Sequence, residues 1–383
     1  MGILIRLFVF HLRLVYFFLK LLPTNNKKIV LMSRQYSYTS IDYQMIENDI
    51  ADRYPNFKVV VLARTLEKKL SSVIPYYFHL YRQMYHLATS ASCVIDTYII
   101  PVSVLNHKNN LLIVQLCHGV GTFKKFGYQA LDRESGRNEQ VSRLMRMHEN
   151  YDYLISTSEE SSKHYSEAFN VSTDTMLNFG PPKIDYILRV KEKRNEVLSK
   201  YPGLADKPVI LYVSTFRTYK NDYLEKLTQH LPLDDFNVII HLHPVIYTLH
   251  PEYDELLDQV EGLYRCKDIL TVDLLSVADY VISDYSSFIF ESALLGTPTY
   301  LYHHDYNTYT DKNGLNVDLR KELAGAVFDD ANSLFTAIKT DEYNYAVLEA
   351  FKNKHIENTQ GNSTTQLVDL LIDHAEEVSA QTL

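Results

Sequence analysis

Tyr280-Val281-Ile282-Ser283-Asp284-Tyr285-Ser286-Ser287-Phe288-Ile289-Phe290-Glu291-Ser292-Ala293-Leu294-Leu295-Gly296 is the stretch on which the fold turns. Strand-forming residues at 280–283 run into a hydroxyl-rich turn, and an apolar helical pattern follows that a glycine closes. Strand, polar turn and helix in that order make half of a βαβ unit. Working outward, the same succession recurs on both sides. Strands are expected at 209–213, 237–242 and 269–272 before this segment, and at 299–302 and 325–328 after it. An earlier series is expected at 28–32, 58–63, 93–96, 111–116, 153–157 and 175–179, with charge-laced helical segments such as 137–150 and 158–168 in between. The pattern predicts an α/β chain of two Rossmann-like, doubly wound domains facing a central cleft, with ligands at the carboxyl ends of the strands.

The charged patch Lys191-Glu192-Lys193-Arg194-Asn195-Glu196, followed by Tyr201-Pro202-Gly203 and Ala205-Asp206-Lys207-Pro208, reads as a crossing between domains. Domains are therefore expected at 25–190 and 207–383, joined by a linker at 191–206. A chain of 383 residues with 46% apolar and 22% charged content suits two ordinary cores. Cys93, Cys117 and Cys266 form neither a metal-ligand spacing nor a disulfide framework, which fits a reducing compartment. Glycine-rich dinucleotide and P-loop motifs and a Gly-x-Ser-x-Gly elbow are all absent, which disfavours redox, P-loop and serine-hydrolase chemistry.

Residues 1–24 form a separate signal. Arg6, Arg13 and Lys20 recur every seventh residue, on one stripe of a helix whose remaining circumference is apolar. An amphipathic helix lying in a membrane interface accounts for both features, the alternative being a helix that docks on its own chain or a partner. With Lys27, Lys28 and Arg34, and no acid before Asp42, those charges leave the rest of the chain at −15 against −9 overall. An acidic body argues against general nucleic-acid binding, while the basic apolar start points to an anionic membrane surface.

Candidate site residues fall at expected strand ends. In Gln115-Leu116-Cys117-His118-Gly119-Val120-Gly121-Thr122-Phe123-Lys124-Lys125-Phe126-Gly127, the glycines permit close backbone approach, the lysines favour an anion, and His118 is suited to moving a proton. Cys117 reads as packing. His241-Leu242-His243-Pro244 ends a buried strand, with His241 and His243 expected on one face. Thr215-Phe216-Arg217 carries a strand into a turn where an arginine fork would bind an anion. Ser286 and Ser287 either cap the following helix or seat a phosphate. His303-His304-Asp305 is read as structural, because adjacent strand histidines face opposite ways.

Taken together, these segments resemble the CDP-glycerol glycerophosphotransferases of teichoic-acid synthesis, which have the two-domain GT-B fold. That family's tryptophan-histidine-glycine segment and its paired lysines look like Cys117-His118-Gly119 and Lys124-Lys125. Its Ala-Pro-Thr-Trp-Arg turn is similar to 213–217, its Thr-Asp-Tyr-Ser-Ser segment to 283–287, and its Gly-x-Pro-Arg-x-Asp to Gly180-Pro181-Pro182-Lys183-Ile184-Asp185. The chain departs at Cys117 and at Asn313-Gly314, where the family often has Arg-Gly. Its length resembles the single-module primase. The resemblance implies glycerol phosphate transfer from CDP-glycerol to a hydroxyl of a lipid-linked acceptor, such as an undecaprenyl-diphosphate disaccharide, with release of CMP. It implies an acceptor-binding domain at 25–190 and a donor-binding one at 207–383. His118 and His243 would be catalytic; Thr215, Arg217, His243, Pro244, Asp284, Ser286 and Ser287 would bind the donor; Gly119, Gly121, Lys124 and Lys125 would bind the acceptor. No cofactor or metal is implied, the location is the cytoplasmic face of the cell membrane, and self-association is left open. A CDP-ribitol-dependent transferase and a CMP-sugar-dependent capsule glycosyltransferase of the sialyltransferase kind are the alternatives.

Overall fold

Within Asn25–Ser33, Ile29 and Leu31 face one side and Val30 and Met32 the other, as the two-residue period of a strand requires, and both sets are buried. A strand covered on both faces belongs to the middle of a parallel sheet. The computed structural model describes residues 2–66, 70–117, 119–133, 136–215, 217, 219 and 221–382. The chain divides into two compact units. The first comprises Met1–Val120, Lys125–Asp185 and Gln360–Leu383, and the second Gly121–Lys124 and Tyr186–Thr359.

In the first unit β1 (Asn25–Ser33), β2 (Lys58–Ala63), β3 (Ser90–Ile95), β4 (Leu112–Gln115), β5 (Tyr153–Ile155) and β6 (Met176–Leu177) form a parallel sheet ordered β2-β1-β3-β4-β5-β6. The chain moves outward from β1 to β2 and then returns to the other side at β3, so strand order reverses between β1 and β3. One face packs on the helices Gly2–Leu19 and Leu70–Thr89, the other on Ile41–Arg53 and the carboxyl-terminal helix Ser363–Thr382.

The contact division moves two expected boundaries. The last helix of the expected 207–383 domain belongs to the first unit, because Leu367, Val368, Leu371 and Ile372 fill the gap above Ile29, Leu31 and Val114. Buried Asp185 fastens its start, accepting from the amides of Ser363 at 3.0 Å and Thr364 at 2.8 Å. The expected linker 191–206 forms helical turns that pack on Asp273–Ser276 within the second unit.

The amino-terminal helix has three sectors. Val9, Leu12 and Tyr16 are buried in the first unit's core, and the Tyr16 hydroxyl bonds Nδ1 of His107 at 2.9 Å. Beside them runs the charged stripe, where Arg13 donates to the Val104 carbonyl at 3.0 Å. The third sector, Ile3, Leu7, Phe10, Leu14 and Phe17, is exposed and apolar. Docking on its own chain and an open apolar face, separate expectations from the sequence, are thus both present. By length and composition alone this helix would also cross a bilayer. Its buried stripe is part of the core, however, and a helix lying in the interface keeps that packing where a spanning one would surrender it.

The second unit repeats the design. β7 (Val209–Val213), β8 (Asn237–His241), β9 (Leu263–Tyr264), β10 (Tyr280–Ser283), β11 (Thr299–Tyr302) and β12 (Val327–Phe328) form a parallel sheet ordered β12-β11-β10-β7-β8-β9, with the reversal between β7 and β10. The expected strand at 269–272 is a turn. Ile269 and Val272 are buried there without ladder partners, leading into the 3-10 helix Asp273–Ser276, and the edge strand that pairs with β8 lies earlier, at Leu263–Tyr264. A short apolar run carries no period long enough to tell strand from buried turn.

Candidate functional site

The reversal between β7 and β10 brings Thr215 and Asp284 together, each just past the end of its strand. Asp284 is fully buried. Its carboxylate accepts from the Thr215 amide at 2.8 Å, from the Tyr285 amide at 2.6 Å and from Nη1 of Arg217 at 2.5 Å. Burial alone would raise this carboxyl, but the Arg217 charge, these hydrogen bonds and Lys124 outweigh it and hold it below the usual carboxylate range.

Arg217 departs from expectation. The turn after a strand suggested a fork open to an anionic ligand, yet the guanidinium is buried and already engaged: Nε donates to Asp305 at 2.7 Å, Nη2 to Asp305 at 3.1 Å, and Nη1 to Asp284 and to the Thr215 carbonyl at 3.2 Å. It ties the ends of β7, β10 and β11 to one another. A charge out of water needs such partners. Asp305, read from the sequence as structural together with His303 and His304, is the counterpart of Arg217 and also accepts from the Tyr219 hydroxyl at 2.6 Å.

Tyrosines surround this network. The Arg217 guanidinium carbon lies 5.5 Å from the ring centre of Tyr223 and 5.6 Å from those of Tyr285 and Tyr309, within cation–π range. Tyr285 and Tyr309 stack at 3.9 Å, and Tyr285 stacks on His303 at 4.5 Å. His304 instead stacks on Tyr223 at 4.6 Å, so the two adjacent histidines do face different neighbours. Nε2 of His303 donates to the Asp284 carbonyl at 3.1 Å.

Lys124 is the second departure. Expected among acceptor contacts with the first half of the chain, it belongs to the second unit, where Nζ donates to the Thr215 hydroxyl at 3.3 Å and lies 5.7 Å from the Tyr309 ring centre. Asn316 fastens the loop: its amide donates to the Phe123 carbonyl at 2.6 Å and its side chain to the Lys124 carbonyl at 3.2 Å, beside a bridge between Lys124 and Leu315. Gly121 sits so close to Phe290 that a Cβ there would meet ring carbons at 2.8 Å. Burial, with Asp284 pulling the other way and Arg217 adding to it, pushes the Lys124 ammonium down to about 8.

His243 lies beyond the end of β8 rather than on it, so it and His241 do not share a strand face. It caps the helix Pro244–Leu249, with Pro244 at the first helical position, and its Nδ1 accepts from the Val245 amide at 3.3 Å. That bond leaves the proton of the neutral ring on Nε2. Burial and the nearby Lys124 charge, against Asp284, hold the imidazole below its ordinary value and hence neutral. The Ser286 hydroxyl accepts from the Phe288 amide at 3.3 Å, the capping role, while Ser287 makes no capping bond.

Of the remaining expected residues, His118 lies outside the described residues. Gly119 and Lys125 are half-buried members of the first unit. Cys117 packs against Leu154, Tyr165 and Phe169, and burial pushes its thiol up to about 12, as its packing role requires. Gly127 adopts a φ of +55°, with a would-be Cβ 2.1 Å from the Ala168 carbonyl oxygen, so only glycine fits that turn.

Comparison with known proteins adds to this geometry. Residues 14–373 match the family model described as CDP-Glycerol:Poly(glycerophosphate) glycerophosphotransferase. A teichoic acid ribitol-phosphate primase from Bacillus spizizenii is 29% identical, covering 92% of each chain. A teichoic acid glycerol-phosphate primase from Bacillus subtilis is 27% identical over 97% of this chain and 98% of its own. Among solved structures, that of the wall teichoic acid polymerase TagF superposes with a TM-score of 0.73 at 20% identity, over 92% of this chain and 90% of its own, and has the same GT-B fold.

Proposed function

This chain belongs to the CDP-glycerol:poly(glycerophosphate) glycerophosphotransferase family, and from that membership we propose that it transfers glycerol phosphate from CDP-glycerol to a hydroxyl of a lipid-linked glycan acceptor at the inner membrane surface. What supports the reading most is the cluster at the β7–β10 reversal: Lys124, Thr215 and the neutral imidazole of His243 gather around a buried frame of Arg217, Asp284 and Asp305.

In this reading His118 takes the proton from the acceptor hydroxyl, whose oxygen attacks the β-phosphorus of CDP-glycerol. The bond from that phosphorus to the bridging oxygen breaks, and CMP leaves with the electron pair. Negative charge grows on the phosphoryl oxygens and on the departing phosphate. Lys124, Nε2–H of His243 and the hydroxyls of Ser286 and Ser287 are the donors suited to meet it, with Thr215 and Pro244 fixing their positions. Arg217 and Asp284 act through that framework. Gly119, Gly121 and Lys125 are assigned to the acceptor, whose lipid would reach the chain beside the exposed apolar sector of the amino-terminal helix.

The experiment is a mass measurement of products from CDP-glycerol and a lipid-linked disaccharide. Wild type should add one glycerol phosphate and release CMP, and His118→Ala should lose transfer at least a thousandfold while still binding CDP-glycerol; near-normal turnover of that variant would refute the base assignment. A ribitol donor is the second reading, favoured by the 29% identity to a ribitol-phosphate primase. Parallel incubation with CDP-ribitol separates the two.

A further inference from the structure

The first unit has a strand-order reversal of its own, between β1 and β3, and what stands at its carboxyl edge differs from the second unit in one respect. Arg34 directly follows β1, its amide bonded to the Thr97 hydroxyl at 3.3 Å and Nη1 donating to the Tyr98 carbonyl at 3.4 Å. Tyr98 follows β3 and is held in turn, its hydroxyl donating to the Met145 carbonyl at 3.0 Å. Two guanidinium groups lie near its ring, the Arg34 carbon at 5.8 Å from the centre and the Arg137 carbon at 5.1 Å. Among the described residues neither forms an ion pair, whereas Arg53, Arg143, Arg146, Arg217, Arg265 and Arg320 all do. Asp96, an acid at the same edge, pairs with neither.

Like charges set side by side without an acid repel, and burial and then the Arg34 charge hold the Arg137 guanidinium below its ordinary value. A fold tolerates that arrangement where an anion completes it. Tyr76 points the same way: it is 4% exposed, its hydroxyl has no hydrogen-bond partner, and it feels both arginine charges. An orphaned buried hydroxyl calls for an explanation, and a ligand oxygen supplies one. The reversal point is also where open α/β sheets bind ligands. Arg217, at the other reversal, has both carboxylates of its frame; among the described residues Arg34 has none.

We infer that Arg34, Arg137 and the Tyr76 hydroxyl form an anion site in the first unit that takes a diphosphate group. On the proposed function this is the diphosphate of the lipid-linked acceptor, and the planar forks suit its paired oxygens.

The test titrates inorganic diphosphate into the full chain saturated with CDP, so that the donor site is filled, and reads heat or phosphorus resonance shifts. Wild type should bind, with Arg34→Gln and Arg137→Gln each weakening binding at least tenfold and Arg34→Lys keeping part of it. Absence of binding to wild type, or equal binding by wild type and both glutamine variants, overturns the site. Thermal midpoints of the variants guard against misfolding, and Arg34→Lys, which keeps the charge but not the fork, serves if a glutamine variant unfolds. In turnover with CDP-glycerol and a lipid-linked disaccharide, the glutamine variants should raise the acceptor KM tenfold with the CDP-glycerol KM unchanged; a rise confined to CDP-glycerol would show that the donor's diphosphate is bound there instead. Diphosphate binding is read without turnover, so the anion site stands or falls apart from the transfer reaction.

Discussion

The Thr215 amide donates to both oxygens of the Asp284 carboxylate, at 2.8 and 3.1 Å, and so joins the ends of β7 and β10 where strand order reverses. Asp284 also carries Arg217, and Arg217 carries Asp305. Arg217 and Asp284, which the resemblance assigned to the donor, are thus engaged with each other in a buried network.

Removing one member should leave a buried charge unpaired. Asp284→Ala is expected to destabilise the chain by about 3–5 kcal/mol, because Arg217 would keep its burial and lose half of its compensation. Urea unfolding followed by circular dichroism measures this. A loss near zero would mean that the network is not stabilising.

Lys124 gives a pH prediction. Its protonated form is the one that attracts phosphate, and the free chain holds its ammonium at about 8. Donor capture should therefore be full below pH 7 and decline as pH rises through about 8. The kcat/KM for CDP-glycerol should fall about tenfold per pH unit beyond that point. Lys124→Gln should start lower and lose this limb, and an unaltered alkaline limb in that variant would assign it to another group.

Gly121→Ala should disturb the loop through packing rather than backbone strain. The added methyl would overlap the ring of Phe290, which is buried and cannot swing aside. A penalty of about 1–3 kcal/mol is expected, together with weaker donor binding as Lys124 shifts. Gly121→Ala combined with Phe290→Leu should recover part of both, as calorimetry on the two variants would show.

The three sectors of the amino-terminal helix allow a cleaner membrane test than truncation, which would open the core at Leu12 and Tyr16. Phe10→Glu with Leu14→Glu alters only the exposed apolar sector, and the thermal midpoint should stay within a few degrees. Flotation with vesicles of anionic phospholipid should drop at least tenfold. Flotation equal to wild type would remove this helix from membrane attachment.

Much of the fold was legible because its signals are local. The strands at Lys58–Ala63, Val209–Val213, Tyr280–Ser283 and Thr299–Tyr302 begin and end where apolar runs meet turn residues. The run at 269–272 misled because buried turns are apolar too. The high tyrosine content, 30 residues, had no account in the sequence, and the rings around Arg217 supply part of one. The Gly180-to-Asp185 motif likewise had no structural role until Asp185 was seen to fasten a helix 178 residues further along the chain.

The sequence by itself determined the alternation of strand and helix, the two Rossmann-like halves and the residue types at the strand ends, since periodicity, caps and turns depend on neighbours a few positions apart. Only the tertiary structure decided which charges are spent on each other. Arg217 meets Asp284 across 67 positions and Asp305 across 88. Both pairings arise from strand order and packing, which no local pattern encodes. The same holds for Arg34 and Arg137, which look like any solvated arginines in the chain and become a candidate anion site because both come to lie beside the ring of Tyr98.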